Sequence, residues 1–353
     1  MALAGDLPVG RYVRAAVVGA GVYGATIAVE LARAGHQVDL YERHRDLLGG
    51  ATRQQQARLH SGFHYPRSLP TALAAKADAQ AFAVRFPGAV NRRNAHYYAI
   101  ASEGSLTGAD EYLAFCEQLD AGAQVCKPPS LLAGVDVCVR VPEALVNVTA
   151  LREQLRAELR QAKVRFRPPA DVNPGKLDHD LVVVATYGRG WPAPLRFEVC
   201  EVVMVLGLTA HAFTSFVVLD GESGCSLDPL PTARGHLLYH VTESVHAANE
   251  GLTAEIPGHL APLLDRGVVP TGGSRVRAVL AGARRHFPAL AGATYAGSLF
   301  TVRAVLPGVD ATDERPTRLL RDGHLVHVLA GKIDGAPAAA ARIVAMASDL
   351  VRA

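Results

Sequence analysis

The run Ala15-Ala16-Val17-Val18-Gly19-Ala20-Gly21-Val22-Tyr23-Gly24 sets an apolar segment directly before a G-x-G-x-x-G turn. Helix-patterned residues follow over Tyr23 to Ala34, then a second apolar run, Gln37 to Tyr41, closed by Glu42. Strand, glycine turn, helix and strand ending in an acid form one βαβ unit suited to a dinucleotide. The glycines give a tight turn, room for a pyrophosphate and close helix-to-strand packing. The pyrophosphate is expected on the amides at the helix start, where the dipole favours negative charge. Glu42, 23 residues after Gly19, stands where a carboxylate takes the hydroxyls of a ribose. Gly19, Gly21, Val22, Tyr23, Gly24 and Glu42 are therefore candidate cofactor contacts. The fingerprint alone leaves NAD and FAD open.

A chain of 353 residues exceeds one ordinary domain and suits two. With 49% hydrophobic residues it can bury a large core, and a net charge of +3 with dispersed basic residues carries no nucleic-acid footprint. Only five of the 36 basic residues are lysines. Cys116, Cys126, Cys138, Cys200 and Cys225 include no C-x-x-C pair, so buried thiols in a reducing cytosol are expected instead of a zinc site or disulfides. The uncharged stretch Ala15 to Val29 is shorter than the ~20 residues a membrane-spanning helix needs. A soluble cytoplasmic protein is expected, with Met1 to Gly10 as a loose tail and oligomeric state open.

After Glu42 the segment Arg43 to Thr52 reads as a loop leading away from the nucleotide, where Gly49 and Gly50 permit close backbone approach and Arg43 and Thr52 are candidate contacts. It leads into Leu59-His60-Ser61-Gly62-Phe63-His64-Tyr65-Pro66-Arg67, with two histidines, a tyrosine and an arginine around a glycine and a proline. Gly62 and Pro66 argue against a helix there, and hence against a metal held at i, i+4.

From Arg14 to Arg67 the chain resembles the amino end of the D-amino-acid oxidase superfamily of FAD enzymes, which includes glycine oxidase, sarcosine oxidase and L-2-hydroxyglutarate dehydrogenase. His60-Ser61-Gly62-Phe63-His64-Tyr65-Pro66 is most similar to an H-x-G-x-x-Y-P segment of the 2-hydroxyglutarate and glycerol-3-phosphate branches. The resemblance implies that this segment passes beside a flavin ring, with Leu59 and His60 touching the cofactor. Leu181 to Ala185 is a continuous apolar strand ending in Ala185-Thr186-Tyr187-Gly188. It resembles the family's second flavin motif, with Tyr187 inserted before the glycine. His324 to Leu329, the turn Gly331-Lys332-Ile333 and the helix from Ala336 to Val351 resemble the third. These dispersed elements, the absence of a second G-x-G-x-x-G and the His60 to Arg67 segment favour FAD over NAD.

The expected fold is α/β: a discontinuous Rossmann-like FAD-binding domain (11–68, 138–196 and 320–353) with an α+β substrate domain (69–137 and 197–319) built on an antiparallel sheet. Val137 to Pro142 is read as the return to the nucleotide domain. Short β-branched runs at Glu201 to Leu206, Ala212 to Leu219 and Gly235 to Val241 suggest the antiparallel strands.

His60, His64 and Lys332 are the catalytic candidates: the histidines as base or flavin-facing groups, the lysine and the helix start at Ala336 as stabilisers of negative charge near the flavin N1–C2=O edge. A covalent flavin link through His60 is a further option. Glycine oxidase-like members carry an arginine before the proline of a G-L-R-P segment. Here Arg303-Ala304-Val305-Leu306-Pro307 puts Leu306 in that place, and Arg303, at an odd offset on a strand, is expected on the other face. Tyr65, Arg67, Tyr239, His240 and Arg303 remain candidate substrate contacts. The expected function is oxidation of a C–N bond in a small amine or amino-acid-like substrate, with O2 as final acceptor. The alternatives are a 2-hydroxy-acid dehydrogenase using an electron carrier, and a flavin-binding protein without redox turnover.

Overall fold

A computed structural model describes residues 12–208, 211–219, 221–230, 235–309, 312 and 314–352; the expected tail at Met1 to Gly10 lies outside the described residues. The run read first as a strand is one: Arg14–Val18 is the centre of a six-stranded sheet ordered Arg318–Asp322, Leu325–Leu329, Leu181–Val184, Arg14–Val18, Gln37–Tyr41, Arg165–Arg167. All pairings are parallel except the edge hairpin of Arg318–Asp322 with Leu325–Leu329. Ala15 to Val18 and Leu181 to Val184 are buried on both faces, which is why they read as unbroken apolar runs. From the central strand the chain moves first to one side and later to the other, so its carboxyl end is a topological switch point, where ligands bind in open α/β sheets.

Helix Val22–Arg33 packs on the last helix, Ala336–Arg352, and on Val148–Gln161. In the last helix Ala336, Ala339, Ala340, Ile343 and Ala347 are buried, a spacing that lays one stripe on the nucleotide-side core. Helix Leu69–Arg85 bridges the two halves of the molecule. Its Ala79 and Phe82 join the nucleotide-side core, and Ala72 and Ala75 join a cluster with Phe63, Tyr65, Tyr98 and Tyr112.

The second sheet has nine strands and is mixed, not purely antiparallel, because Thr214–Leu219 runs parallel to Ala95–Ala101. Val135–Val141 pairs antiparallel with Ala95–Ala101 in this sheet. Val137 to Pro142, read as the return to the nucleotide domain, thus lies in the second sheet up to Val141, and the nucleotide-side helix Val148–Gln161 follows only after it: an alternating apolar run shows that a strand is buried, not against which sheet. The spine is the long strand Leu195–Leu206. Thr294–Val305 pairs along one edge, while the other edge is shared by Val245–Gly251 and His236–His240. A small third sheet, with Ala144–Val146 between Arg58–Leu59 and Val90–Asn91, ties the two halves together. Its register, Leu59 with Ala144, carries His60 towards Glu143.

Candidate active site

A cleft of about 2430 Å³ runs from the switch point to the spine of the second sheet. At the nucleotide end, Gly19 has φ +100°, and a Cβ there would stand 2.5 Å from the carbonyl oxygen of Ala185. The loop thus lies against the end of the second nucleotide strand, where only glycine fits. Helix Val22–Arg33 then opens with Gly21 at its N-cap. The Glu42 carboxylate is buried and accepts the amide of Ala20 at 2.6 Å and that of His44 at 2.8 Å. Each oxygen keeps a lone pair for a further donor. Thr52 Oγ1 accepts the Val22 amide at 3.2 Å. The phenol of Tyr23 donates to the carbonyl of Lys332 at 2.6 Å and bonds Thr317 Oγ1 at 2.9 Å, tying the first helix to the third flavin-like turn. A glycine-lined helix start, an acid ending the neighbouring strand and an elongated cleft fit the two halves of FAD.

Of the cofactor candidates, Gly19, Gly21, Val22, Tyr23, Glu42, Arg43, Thr52, His60, Ala185, Thr186, Gly331, Lys332 and Ile333 line this cleft. Gly24 and Leu59 sit behind it: Gly24 packs under Gly19, and Leu59 lies in the core. Arg43 is committed elsewhere, its guanidinium 2.9 Å from Asp265, which places a loop of the second sheet over the nucleotide end.

At the other end the cleft gathers His60, His64, Lys332, Arg67, Tyr187, Tyr239, Glu198, Cys200, Arg303 and Arg315. Gly62, at φ +101°, turns the segment so that the two imidazoles lie 4.9 Å apart. Burial holds both histidines well below their ordinary 6.5, with the Lys332 charge adding to it; both are neutral at physiological pH. Burial, then Arg315 and Arg303, lowers Lys332 to about 8, and its ammonium lies 5.7 Å from the ring centre of Tyr65. Tyr65 itself is buried behind the wall, not on it.

Arg303 faces the cleft, contrary to the odd-offset argument. In the antiparallel register it stands opposite Glu198 and donates to it through Nε at 2.8 Å, and Arg196 reaches the other Glu198 oxygen at 2.9 Å. Leu306 instead packs with Leu195, Phe197, Ala304 and Leu329, away from the cleft. Arg303 and Leu306 do lie on opposite faces, but the cleft face is the one that carries Glu198, the strand partner of Arg303. Tyr239 lies 3.9 Å from the Cys200 thiol, which burial pushes up to about 11 and so keeps protonated. His240 lines a more distant wall, where its Nδ1 accepts the Glu243 amide at 3.3 Å.

Several residues were not legible as site members. Tyr187, read only as an insertion, has φ +54° and is followed by Gly188 at +89°, a left-handed pair that turns the phenol into the cleft. Glu198, Cys200 and Arg315 reach the site through strand register and loop return. Behind His60 lies a buried polar layer. The Tyr98 hydroxyl donates to Glu143 Oε2 at 3.0 Å and meets His60 Nδ1 at 3.3 Å, and the Ser61 amide donates to Glu143 Oε1 at 2.8 Å. Arg58 reaches Glu143 at 3.7 Å and pairs closely with Asp228. The one available signal was an acid, Glu143, set between the apolar runs Val137 to Val141 and Ala144 to Val146.

The sequence profile of the FAD dependent oxidoreductase family, DAO, matches residues 14–344. A protein named as an FAD-dependent monooxygenase from Fusarium mangiferae is 26% identical over 347 residues, 94% of this chain and 90% of that protein. Glycine oxidase from Geobacillus kaustophilus superposes with a TM-score of 0.68 at 17% identity, covering 97% of this chain and 95% of that one. Glycerol-3-phosphate dehydrogenase from Bacillus halodurans, solved with FAD, gives 0.63 at 13% identity, covering 97% of this chain and 65% of that one. At these identities the structural likenesses speak for the fold.

Proposed function

This chain belongs to the DAO family of FAD-dependent oxidoreductases, and from that premise we propose that it oxidises the C–N bond of a small amine or amino-acid-like substrate, with O2 as the final acceptor. FAD supplies the two-electron acceptor, taking a hydride equivalent at N5. The carrying observation is the character of the far end of the cleft: two neutral imidazoles and a lysine lowered to about 8 stand beside Arg303 and Arg315. An ammonium group cannot release hydride from its carbon until it has lost a proton, so a C–N oxidase needs a neutral acceptor there. The surrounding positive field lowers the pKa of a bound ammonium and favours a carboxylate on the same substrate.

In this reading His60, His64 and Lys332 act at the reacting carbon, while Arg67, Tyr239 and Arg303 bind substrate and Tyr65 supports Lys332 from behind. Glu42 takes the ribose, and the amides at Val22 and Tyr23 take the pyrophosphate. Lys332, with the dipole of the helix that starts at Ala336, would stabilise negative charge gained by a bound flavin.

Anaerobic mixing with a panel of amines, amino acids and 2-hydroxy acids tests this. Bleaching of the flavin band by an amine, with imine-derived carbonyl product and peroxide on adding air, is the expected result. Bleaching by hydroxy acids alone would overturn it in favour of C–O oxidation. The name of the Fusarium relative supports a second reading, oxygen insertion; an oxygenated amine in place of a carbonyl product would establish that instead.

A further inference from the structure

We propose that Glu143 and Tyr98 are positioning residues that fix His60 in the tautomer with the proton on Nδ1, leaving the Nε2 lone pair as the acceptor for the substrate's proton. The proposal rests on the amine-oxidation reading for its substrate and on the structure for its geometry.

One buried chain of hydrogen bonds fixes where each proton lies. An ionised Glu143 can only accept. Its Oε1 is taken by the Ser61 amide at 2.8 Å, and Oε2 by the Tyr98 hydroxyl at 3.0 Å. A phenol has one proton. Having given it to Glu143, Tyr98 offers His60 Nδ1 only a lone pair, across 3.3 Å. The proton in that contact must come from Nδ1. His60 lines the cleft, so Nε2 is the ring nitrogen left to the substrate. Burial holds the ring neutral beforehand, and the carboxylate behind Tyr98 stabilises the imidazolium once formed. The same division of labour, an acid setting the tautomer of a histidine base, operates in hydrolytic triads; here a phenol stands between the two.

The step balances simply. A primary ammonium loses one proton to Nε2 and becomes an amine. Its carbon then loses hydride, with both electrons, to the oxidised cofactor, leaving an iminium ion.

Protonating Glu143 reverses the chain. Because Oε1 faces an N–H, the new proton sits on Oε2 and is donated to Tyr98. Tyr98 then donates to His60 Nδ1, and Nε2 becomes the protonated nitrogen. Burial lifts Glu143 to about 7, against the pull of Arg58, the Ser61 amide and Tyr98, while Asp228 pushes the same way as burial. Asp334 and Tyr112 also sense its charge. Glu143→Gln imposes the reversed chain at every pH: the Ser61 amide holds the side-chain oxygen, so the side-chain NH2 faces Tyr98 and donates to it.

Histidine-ring nitrogen NMR of the FAD-loaded protein, assigned to His60 by difference from His60→Asn, reads the tautomer without any substrate. The expected result is an Nδ1–H ring in the wild type above pH about 7, an Nε2–H ring in Glu143→Gln, and loss of the Nδ1–H preference in Tyr98→Phe. Amine-dependent flavin reduction in Glu143→Gln should fall about a hundredfold and lose the limb that rises with pH near 7, with flavin content unchanged. An Nε2–H ring in the wild type, or an Nδ1–H ring surviving in Glu143→Gln, overturns the proposal. Because the tautomer is read without substrate, an amine panel that fails to bleach the flavin counts against the amine-oxidation reading alone.

Discussion

Glu42 and Ala20 are joined by a 2.6 Å hydrogen bond from amide to buried carboxylate, so the acid proposed to receive the ribose also shapes the glycine turn proposed to receive the pyrophosphate. The two jobs are linked: removing the carboxylate loosens the turn as well as losing a ligand contact. Glu42→Ala should lower the flavin-to-protein absorbance ratio after purification and destabilise the protein by about 1.5–3 kcal/mol, the scale of a hydrogen bond to a charged group. An unchanged ratio would contradict the ribose role.

Gly24 has no space for a side chain. A Cβ would meet the Gly19 carbonyl oxygen at 1.8 Å, and that atom belongs to the turn itself. Gly24→Ala should therefore push the helix away from the turn, cost at least the ~1–3 kcal/mol typical of overpacking and yield protein largely free of flavin. Gly258→Ala, where no atom lies within 4 Å of the added carbon, is the matched control and should leave melting temperature and flavin content unchanged.

How far the sequence reveals this site depends on whether a residue's neighbours are local or distant in the chain. Gly19 to Glu42 could be read because turn, helix start and strand end are set by adjacent residues. His60 and His64 stood out because they crowd one turn. Arg303 could not be placed, because its direction depends on pairing with Glu198, 105 residues earlier. Glu143 faces Ser61 and Tyr98 through two different strand pairings, and nothing local marks it beyond its apolar setting. The place of Val135–Val141 in the second sheet is likewise set by a distant partner, Ala95–Ala101. Tyr187 was visible only as a departure from a motif, although that departure is what carries its ring into the cleft.

Arg58 and Asp228 make a close ion pair in which both side chains are almost wholly buried. Asp228 also takes the hydroxyl of Ser215. Removing one partner leaves a charge with no water to solvate it, so Asp228→Ala should lower unfolding stability by about 3–5 kcal/mol. Chemical denaturation would measure this. A loss below about 1 kcal/mol, the level of an exposed pair, would show that water reaches Arg58.

Glu143 and Asp334 give stability a component that falls as pH rises from about 5 to 7. Burial raises Glu143 from 4.5 to about 7 and Asp334 from 3.8 to about 7. Asp78 adds to the rise at Asp334, while Lys332 opposes it. Between the ordinary and the raised values the folded protein holds protons that the unfolded chain has released. Their contribution then decreases with pH, since stability increases only where the unfolded state binds more protons. The contribution is complete below the unfolded values and gone once pH passes through about 7. Opposing slopes come from the histidines that burial holds below 6.5, among them His60, His64 and His96, which the unfolded chain protonates across the same range, and below pH 4 from Asp39, which Arg165, His179 and Arg167 lower to about 2 against the effect of burial. The Glu143 component is read by difference: the urea midpoint of the wild type minus that of Glu143→Gln, which has no proton to release there, should fall from pH 5 to 8. A variant slope equal to the wild type's would mean that Glu143 is already ionised at pH 5, and that the His60 tautomer does not change with pH near neutrality.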